Sequence, residues 1–201
     1  CGGLAFAAKA AVGPVYAAGL VYKKHIKDSA ESVDQKNGPV IFLKQMRSLV
    51  LAEQSVDVSI PNQNEIYSDL DALEPGISKT LTEKFPDGFP KMFDYEAELG
   101  VQFTRDVSWD ELSGASLKNA LSFFSANDLS MRSVQILGEK QDNKSDYWSL
   151  AKSFKRFMPV SQPKVVSQLS LDQWPVLYVR SWVNGESRQN DNWPQQQRHE
   201  L

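Results

Sequence analysis

The chain has 201 residues, 41% hydrophobic and 23% charged, with a net charge of −3 and a pI of about 5.5. This is enough chain for one domain with a real core, and its acidic balance gives no electrostatic case for nucleic acid or an anionic membrane. One cysteine, Cys1, excludes an internal disulfide and a cysteine-built zinc site, and two histidines, His25 and His199, exclude a multi-histidine centre, so any metal must be held mostly by oxygen.

The opening CGGLAFAAKAAVGPVYAAGLVY is apolar apart from Lys9, but its glycines and Pro14 make a poor membrane-spanning helix. A leading cysteine is also how a processed lipoprotein begins. A periplasmic protein anchored through Cys1 therefore stands as the alternative to a cytoplasmic one, and a fragment whose true start is missing explains Cys1 as well.

Residues 15–22, VYAAGLVY, read as a short buried strand, and the following KKHIKDSAES as a polar helical turn. A second strand, GPVIFL at 38–43, enters through Gly38-Pro39, and the alternation of VDVSIP at 56–61 predicts a third. Residues 62–90, rich in Asn, Asp, Pro and Gly, predict a long loop with one helical turn. DYEAELGV at 94–101 reads as a strand. WDELSGASLKNA at 109–120 carries helix signals, acidic early and with Lys118 late. The apolar strand LSFFSA at 121–126 ends at Asn127-Asp128, and GEKQDNKSD at 138–146 is a solvated loop. KVVSQL at 164–169 and VLYVRSWV at 176–183 read as strands, whereas NGESRQNDNWPQQQRHEL lacks an apolar period and is expected to fray. The sum is an α+β fold, predominantly β. It comprises an N-terminal extension over 1–14, one catalytic domain over 15–190 and a disordered tail over 191–201.

The stretch 94–101 raises the chemical question. Residues two apart on a strand share a face, so Glu96 and Glu98 point the same way and Asp94 extends the row. Like charges this close destabilise a fold unless water screens them at an exposed edge or a cation compensates them. Hard divalent cations prefer carboxylate oxygen. Asp128, closing an apolar strand, is either a turn cap or a further member of such a site, and Lys152 in AKSFKRF is either an exposed lysine or a charge lodged in an apolar setting. His25 and Asp28, three residues apart, share one face of a helical turn. They are either a surface pair or an imidazole whose tautomer a carboxylate fixes, as a general base for water requires.

Taken in order, six stretches resemble the fumarylacetoacetate hydrolase family, most closely its small acylpyruvase or oxaloacetate decarboxylase-type members. They are GLVYKKHIKD (19–28), PVIFLK (39–44), DYEAELGV (94–101), NDLSMRSVQ (127–135), WSLAKSFKRFMPVS (148–161) and VNGESRQ (183–189). The resemblance implies a mixed β-roll of the type formed by that family's C-terminal domain, usually as a homodimer. It also implies that Glu96, Glu98 and Asp128 ligate Mg²⁺ (or Mn²⁺ or Ca²⁺), with His25, Asp28 and Lys152 as the catalytic groups and Lys44, Arg132 and Gln135 lining or bracing the substrate pocket. The implied reaction is cleavage of a C–C bond in an acylpyruvate, β-diketo acid or 2-oxo acid, by hydrolysis or decarboxylation. In it, His25 takes a proton from water and Lys152 adds charge beside the enolate.

The sequence departs from the family pattern at four places. Val21 replaces an asparagine, Asp28 is one methylene shorter than the usual glutamate, and Ser133 stands where an acidic residue is common. The fourth lies after VNGESRQ, where the family continues through further strands and a G-T-P loop and this chain has NDNWPQQQRHEL. The accompanying alternative is a truncated, catalytically impaired relative that at most binds metal.

Overall fold

The computed structural model describes residues 14–19, 40–112, 115–140, 143–165 and 177–193. Strand β1 (Val15–Gly19) pairs antiparallel with β2 (Val40–Lys44). After a 3₁₀ turn at Met46–Ser48 come β3 (Leu49–Leu51), helix α1 (Gln63–Leu73) and helix α2 (Ile77–Lys84). Then follow β4 (Phe93–Asp94), β5 (Ala97–Phe103), β6 (Leu121–Asn127), β7 (Ser130–Met131), α3 (Arg132–Leu137) and α4 (Lys144–Ala151). The chain continues through β8 (Met158–Val160), β9 (Lys164–Val165), β10 (Leu177–Val183) and β11 (Glu186–Trp193). The largest sheet has the order β3-β8-β6-β5 with β9 also on β6; β3 and β8 run parallel and the other pairs antiparallel. The fold is thus mixed α+β.

The main core lies between the helices and the loops around the site. Ile66, Tyr67 and Leu70 of α1, Val134 of α3 and Tyr147, Leu150 and Ala151 of α4 close on Met131, Phe154 and Phe157. Phe154 and Phe157 meet edge-on, ring centroids 5.4 Å apart, the arrangement their quadrupoles favour.

Several segments differ from the sequence reading. Residues 56–61 form no strand: Val56 and Val58 do turn inward, and Val58 packs on the core, but no neighbouring strand pairs with them. Residues 62–90 hold two helices instead of a loop. Asn62 caps the first, accepting from the Glu65 N–H at 3.0 Å while the Glu65 carboxylate accepts from the Asn62 N–H at 2.7 Å. Left-handed Gly76, φ 87°, separates α1 from α2. The helix expected over 109–120 is two 3₁₀ turns, Trp109–Glu111 and Ala115–Ala120. The stretch 94–101 is two strands, broken at Tyr95-Glu96, and α4 takes up the end of the expected loop 138–146. The segment expected to fray contains β11, which pairs with β10 through Trp193. Asn184 (φ 52°) and Gly185 (φ 85°) turn that hairpin, the two positive-φ positions of an Asn-Gly turn. Of the strands read at 15–22 and 164–169, only Val15–Gly19 and Lys164–Val165 fall on described residues.

Gly138 follows α3 with an ordinary helical φ of −78°, so space, not conformation, requires glycine there. A Cβ at this position would lie 2.3 Å from the Cβ of Tyr147, which is fully buried and cannot withdraw. Gly138→Ala is expected to cost about 1–3 kcal/mol, read as a lower denaturant midpoint; an unchanged midpoint would contradict this packing.

Candidate functional site

Pairing of β5 with β6 builds the site. Ala97 lies opposite Asn127 and Glu98 opposite Ala126, and the Asp128 N–H donates to the Glu96 carbonyl at 2.7 Å, so the register continues to Glu96 opposite Asp128. Residues directly opposite on an antiparallel pair project from the same face. Glu96, Glu98 and Asp128 thus belong to one face, even though β5 itself starts at Ala97.

One cation joins two of them. The Lys152 ammonium, which follows α4, donates to Glu96 Oε2 at 2.6 Å, to Asp128 Oδ2 at 2.6 Å and to Ser130 Oγ at 2.9 Å. Lys152 is only 3% exposed and lies 5.4 Å from the centre of the Phe42 ring, a favourable cation–π distance. Lys44, the last residue of β2, reaches the same carboxylate from the other side: its buried ammonium bonds Asp128 Oδ1 and donates to the Phe157 carbonyl at 3.1 Å. Arg132, opening α3, donates to Asp94 Oδ2 at 2.7 Å, Glu96 Oε1 at 3.0 Å and Gln135 Oε1 at 2.7 Å.

Burial acts on both kinds of charge. It pushes the Glu96 carboxyl up, but the neighbouring Lys152 and Arg132 charges outweigh it and hold Glu96 at about 2. Burial is also the strongest influence on Lys44, and it lowers that ammonium in spite of Asp128.

The structure therefore gathers Glu96, Asp128, Lys152, Lys44, Arg132 and Gln135. Glu98 is placed on the same face by register. Asp94, which spacing alone added to the carboxylate row, is instead the partner of Arg132. His25 and Asp28 lie outside the described residues, as do Cys1 and Val21. Ser133 is 6% exposed, and its hydroxyl has no hydrogen-bond partner among the described residues. Sequence reasoning missed Phe42, Ser130 and Gln189. Gln189 could have been found, since it closes the VNGESRQ stretch.

Among the described residues no three His, Cys, Asp or Glu side chains stand close enough to hold a metal ion. The donors nonetheless fit a hard divalent cation: all are carboxylate oxygens, and two carboxylates already converge on one point of positive charge, the Lys152 ammonium acting as the stand-in ion. No helix among the described residues is long and apolar enough to cross a membrane.

The comparisons with known proteins point one way. The family model described as fumarylacetoacetate (FAA) hydrolase, C-terminal, matches residues 14–197. None of the curated proteins matches the chain. A candidate fumarylpyruvate hydrolase from Burkholderia cenocepacia shares the fold with a TM-score of 0.60 at 18% identity, over 94% of this chain and 62% of that one. The fumarylpyruvate hydrolase from Pseudomonas aeruginosa, solved in complex with Mn²⁺ and pyruvate, gives 0.56 at 18% identity, over 90% and 64%. A candidate fumarylacetoacetate hydrolase family protein from Yersinia pestis CO92 gives 0.56 at 25% identity, over 92% and 68%. The chain thus spans less than two thirds of the length of either fumarylpyruvate hydrolase.

The ion-pair geometry predicts unequal costs in protein held free of metal by a chelator. Lys152→Met strips the cation from between a buried and a half-buried carboxylate and should destabilise by about 3–5 kcal/mol. Glu96→Gln leaves Lys152 with Asp128 and Arg132 with Asp94, and should cost less, about 1–3 kcal/mol. Denaturant unfolding checks the order, and an equal or reversed pair of losses would refute the bridging role of Lys152.

Proposed function

The chain belongs to the fumarylacetoacetate hydrolase family, and from that premise we propose that it forms the centre of a divalent-metal-dependent enzyme. Its reaction is cleavage of a C–C bond in an acylpyruvate, β-diketo acid or related 2-oxo acid, by hydrolysis or decarboxylation. The observation that carries the reading is the single cation point shared by Glu96 and Asp128 at 2.6 Å each. On this reading Glu96, Glu98 and Asp128 hold Mg²⁺, Mn²⁺ or Ca²⁺. When bound, the ion supplies Lewis-acid polarisation of the substrate's oxygens.

The protein groups have separate tasks. Lys152, released from its bridge, offers a fixed positive charge to an enolate or carboxylate oxygen, and the dry surroundings strengthen that interaction. Lys44 is already engaged by Asp128 and the Phe157 carbonyl and braces Asp128 from below. Arg132 orients Glu96 and is itself oriented by Asp94 and Gln135. Its remaining donor capacity, with the Gln135 amide, suits an anionic substrate end. His25 with Asp28 is the proposed general base for water. The assembly is proposed to be a homodimer in the cytoplasm.

The Pseudomonas neighbour, solved in complex with Mn²⁺ and pyruvate, supplies the probes. Mn²⁺ should raise the melting temperature, and pyruvate or oxalate should raise it further only when Mn²⁺ is present. Glu96→Gln should abolish both shifts. Lys152→Met should retain the Mn²⁺ shift while cleavage of acylpyruvates falls by about 100-fold or more. A wild-type protein that melts at one temperature with and without Mn²⁺ would rule the proposal out.

A further inference from the structure

Among the described residues β5 is the edge strand of its sheet, so every second residue turns its main-chain N–H and C=O away from β6, Ala97 first among them. The Asp128 N–H bonds the Glu96 carbonyl, so Glu96 and Asp128 form a hydrogen-bonded pair and Ala97, next along, turns its N–H and C=O away from β6. Both groups are met by one side chain. Gln189 Oε1 accepts from the Ala97 N–H at 2.7 Å, and Gln189 Nε2 donates to the Ala97 carbonyl at 3.3 Å. The Ala97 N–H and C=O together fix which way the amide is turned, and the Ser181 hydroxyl adds a third bond by donating to the same Oε1 at 3.0 Å. The amide thus stands in for a neighbouring strand at a single position.

The hairpin is shaped to deliver it. Ser181 pairs with Gln189, but Trp182 pairs with Ser187, so Arg188 is an extra residue on β11. A bulge of this kind re-aims the side chain beside it. Glu186, Ser187, Arg188 and Asn190 of β11 are polar and exposed, yet Gln189 is half-buried.

Ala97 lies between Glu96 and Glu98. Its N–H belongs to the peptide plane shared with Glu96 and its C=O to the plane shared with Glu98, and each plane is rigid. Holding both groups therefore fixes the two planes from which the carboxylate-bearing side chains project. We propose that Gln189 is a positioning residue, a clamp on Ala97 that aims Glu96 and Glu98 at a common cation. The clamp itself rests on the main-chain geometry, while its consequence for cation binding rests on the metal reading above.

Gln189→Met keeps the side chain's bulk and removes both hydrogen bonds. In the metal-free protein the Ala97 amide should then exchange with deuterium about 10-fold faster or more, as a strand N–H released to water does. The Mn²⁺ dissociation constant, measured by calorimetry, should rise by about 10–100-fold, the usual consequence of losing a group that orients a ligand. Ser181→Ala, which removes one support from the amide oxygen but leaves the amide in place, should give smaller changes in the same direction, and it serves as the test if Gln189→Met fails to fold. An Ala97 amide that exchanges at the wild-type rate in both variants would overturn the clamp, and an unprotected Ala97 with unaltered Mn²⁺ affinity would overturn its positioning role. A wild-type protein that binds no Mn²⁺ would overturn the metal reading, leaving the clamp to be decided by Ala97 exchange alone.

Discussion

Two carboxylates that share one buried ammonium set the terms for everything around them. With Lys152 2.6 Å from each, the Glu96 and Asp128 oxygens lie within about twice that distance of one another. Without a cation between them their repulsion would amount to about 3 kcal/mol at an effective dielectric near 20. Burial also penalises Lys152 and Lys44, so neither the anions nor the cations are tolerable alone. The apolar core from α1, α3 and α4 surrounds this group and keeps the surrounding dielectric low.

The strands that carry the site were legible because β5 and β6 have the patterns that pairing requires: an acidic face alternating with apolar residues, and a continuous apolar run. Other signals were outweighed. Val56 and Val58 alternate with polar residues because one side faces the core, and alternation cannot report the missing strand partner. The Asn62–Glu65 capping box lay in a segment whose Asn, Asp and Gly content suggested only loop, so α1 was hidden. β11 has no apolar face to read, and it is a strand because the Asn184-Gly185 turn returns it onto β10. As for the site, Lys44 meets Asp128 across 84 positions of sequence and Gln189 meets Ala97 across 92, separations at which spacing carries no information. Family resemblance brought Lys44 into view. Gln189 lay within the VNGESRQ stretch, but its contact with Ala97 shows only in the hydrogen-bond pattern.

The pairing of β5 with β6, together with the Gln189 side chain from the hairpin, also explains why the site tolerates a broken strand. β4 ends at Asp94 and β5 begins at Ala97, so Tyr95 and Glu96 lack the regular ladder that would hold them. Three contacts replace it: the Asp128 N–H on the Glu96 carbonyl, Arg132 on the Glu96 carboxylate, and Gln189 on Ala97. The break lets Asp94 turn to Arg132 instead of adding another carboxylate beside Glu96.

The charge balance bears on the proposed chemistry. Asp94, Glu96, Glu98 and Asp128 carry four negative charges, and Lys44, Arg132 and Lys152 carry three positive ones. Counted over these described residues, the group is close to neutral. A divalent ion would shift that balance by two positive charges, and a 2-oxo acid carries a negative one. On the proposed reading the order of binding, ion before substrate, then follows from electrostatics: a substrate carboxylate meets a more positive site in the presence of the ion than in its absence. Lys152 links the two states, since the same ammonium that neutralises Glu96 and Asp128 in the metal-free protein becomes a free positive charge once another cation takes its place.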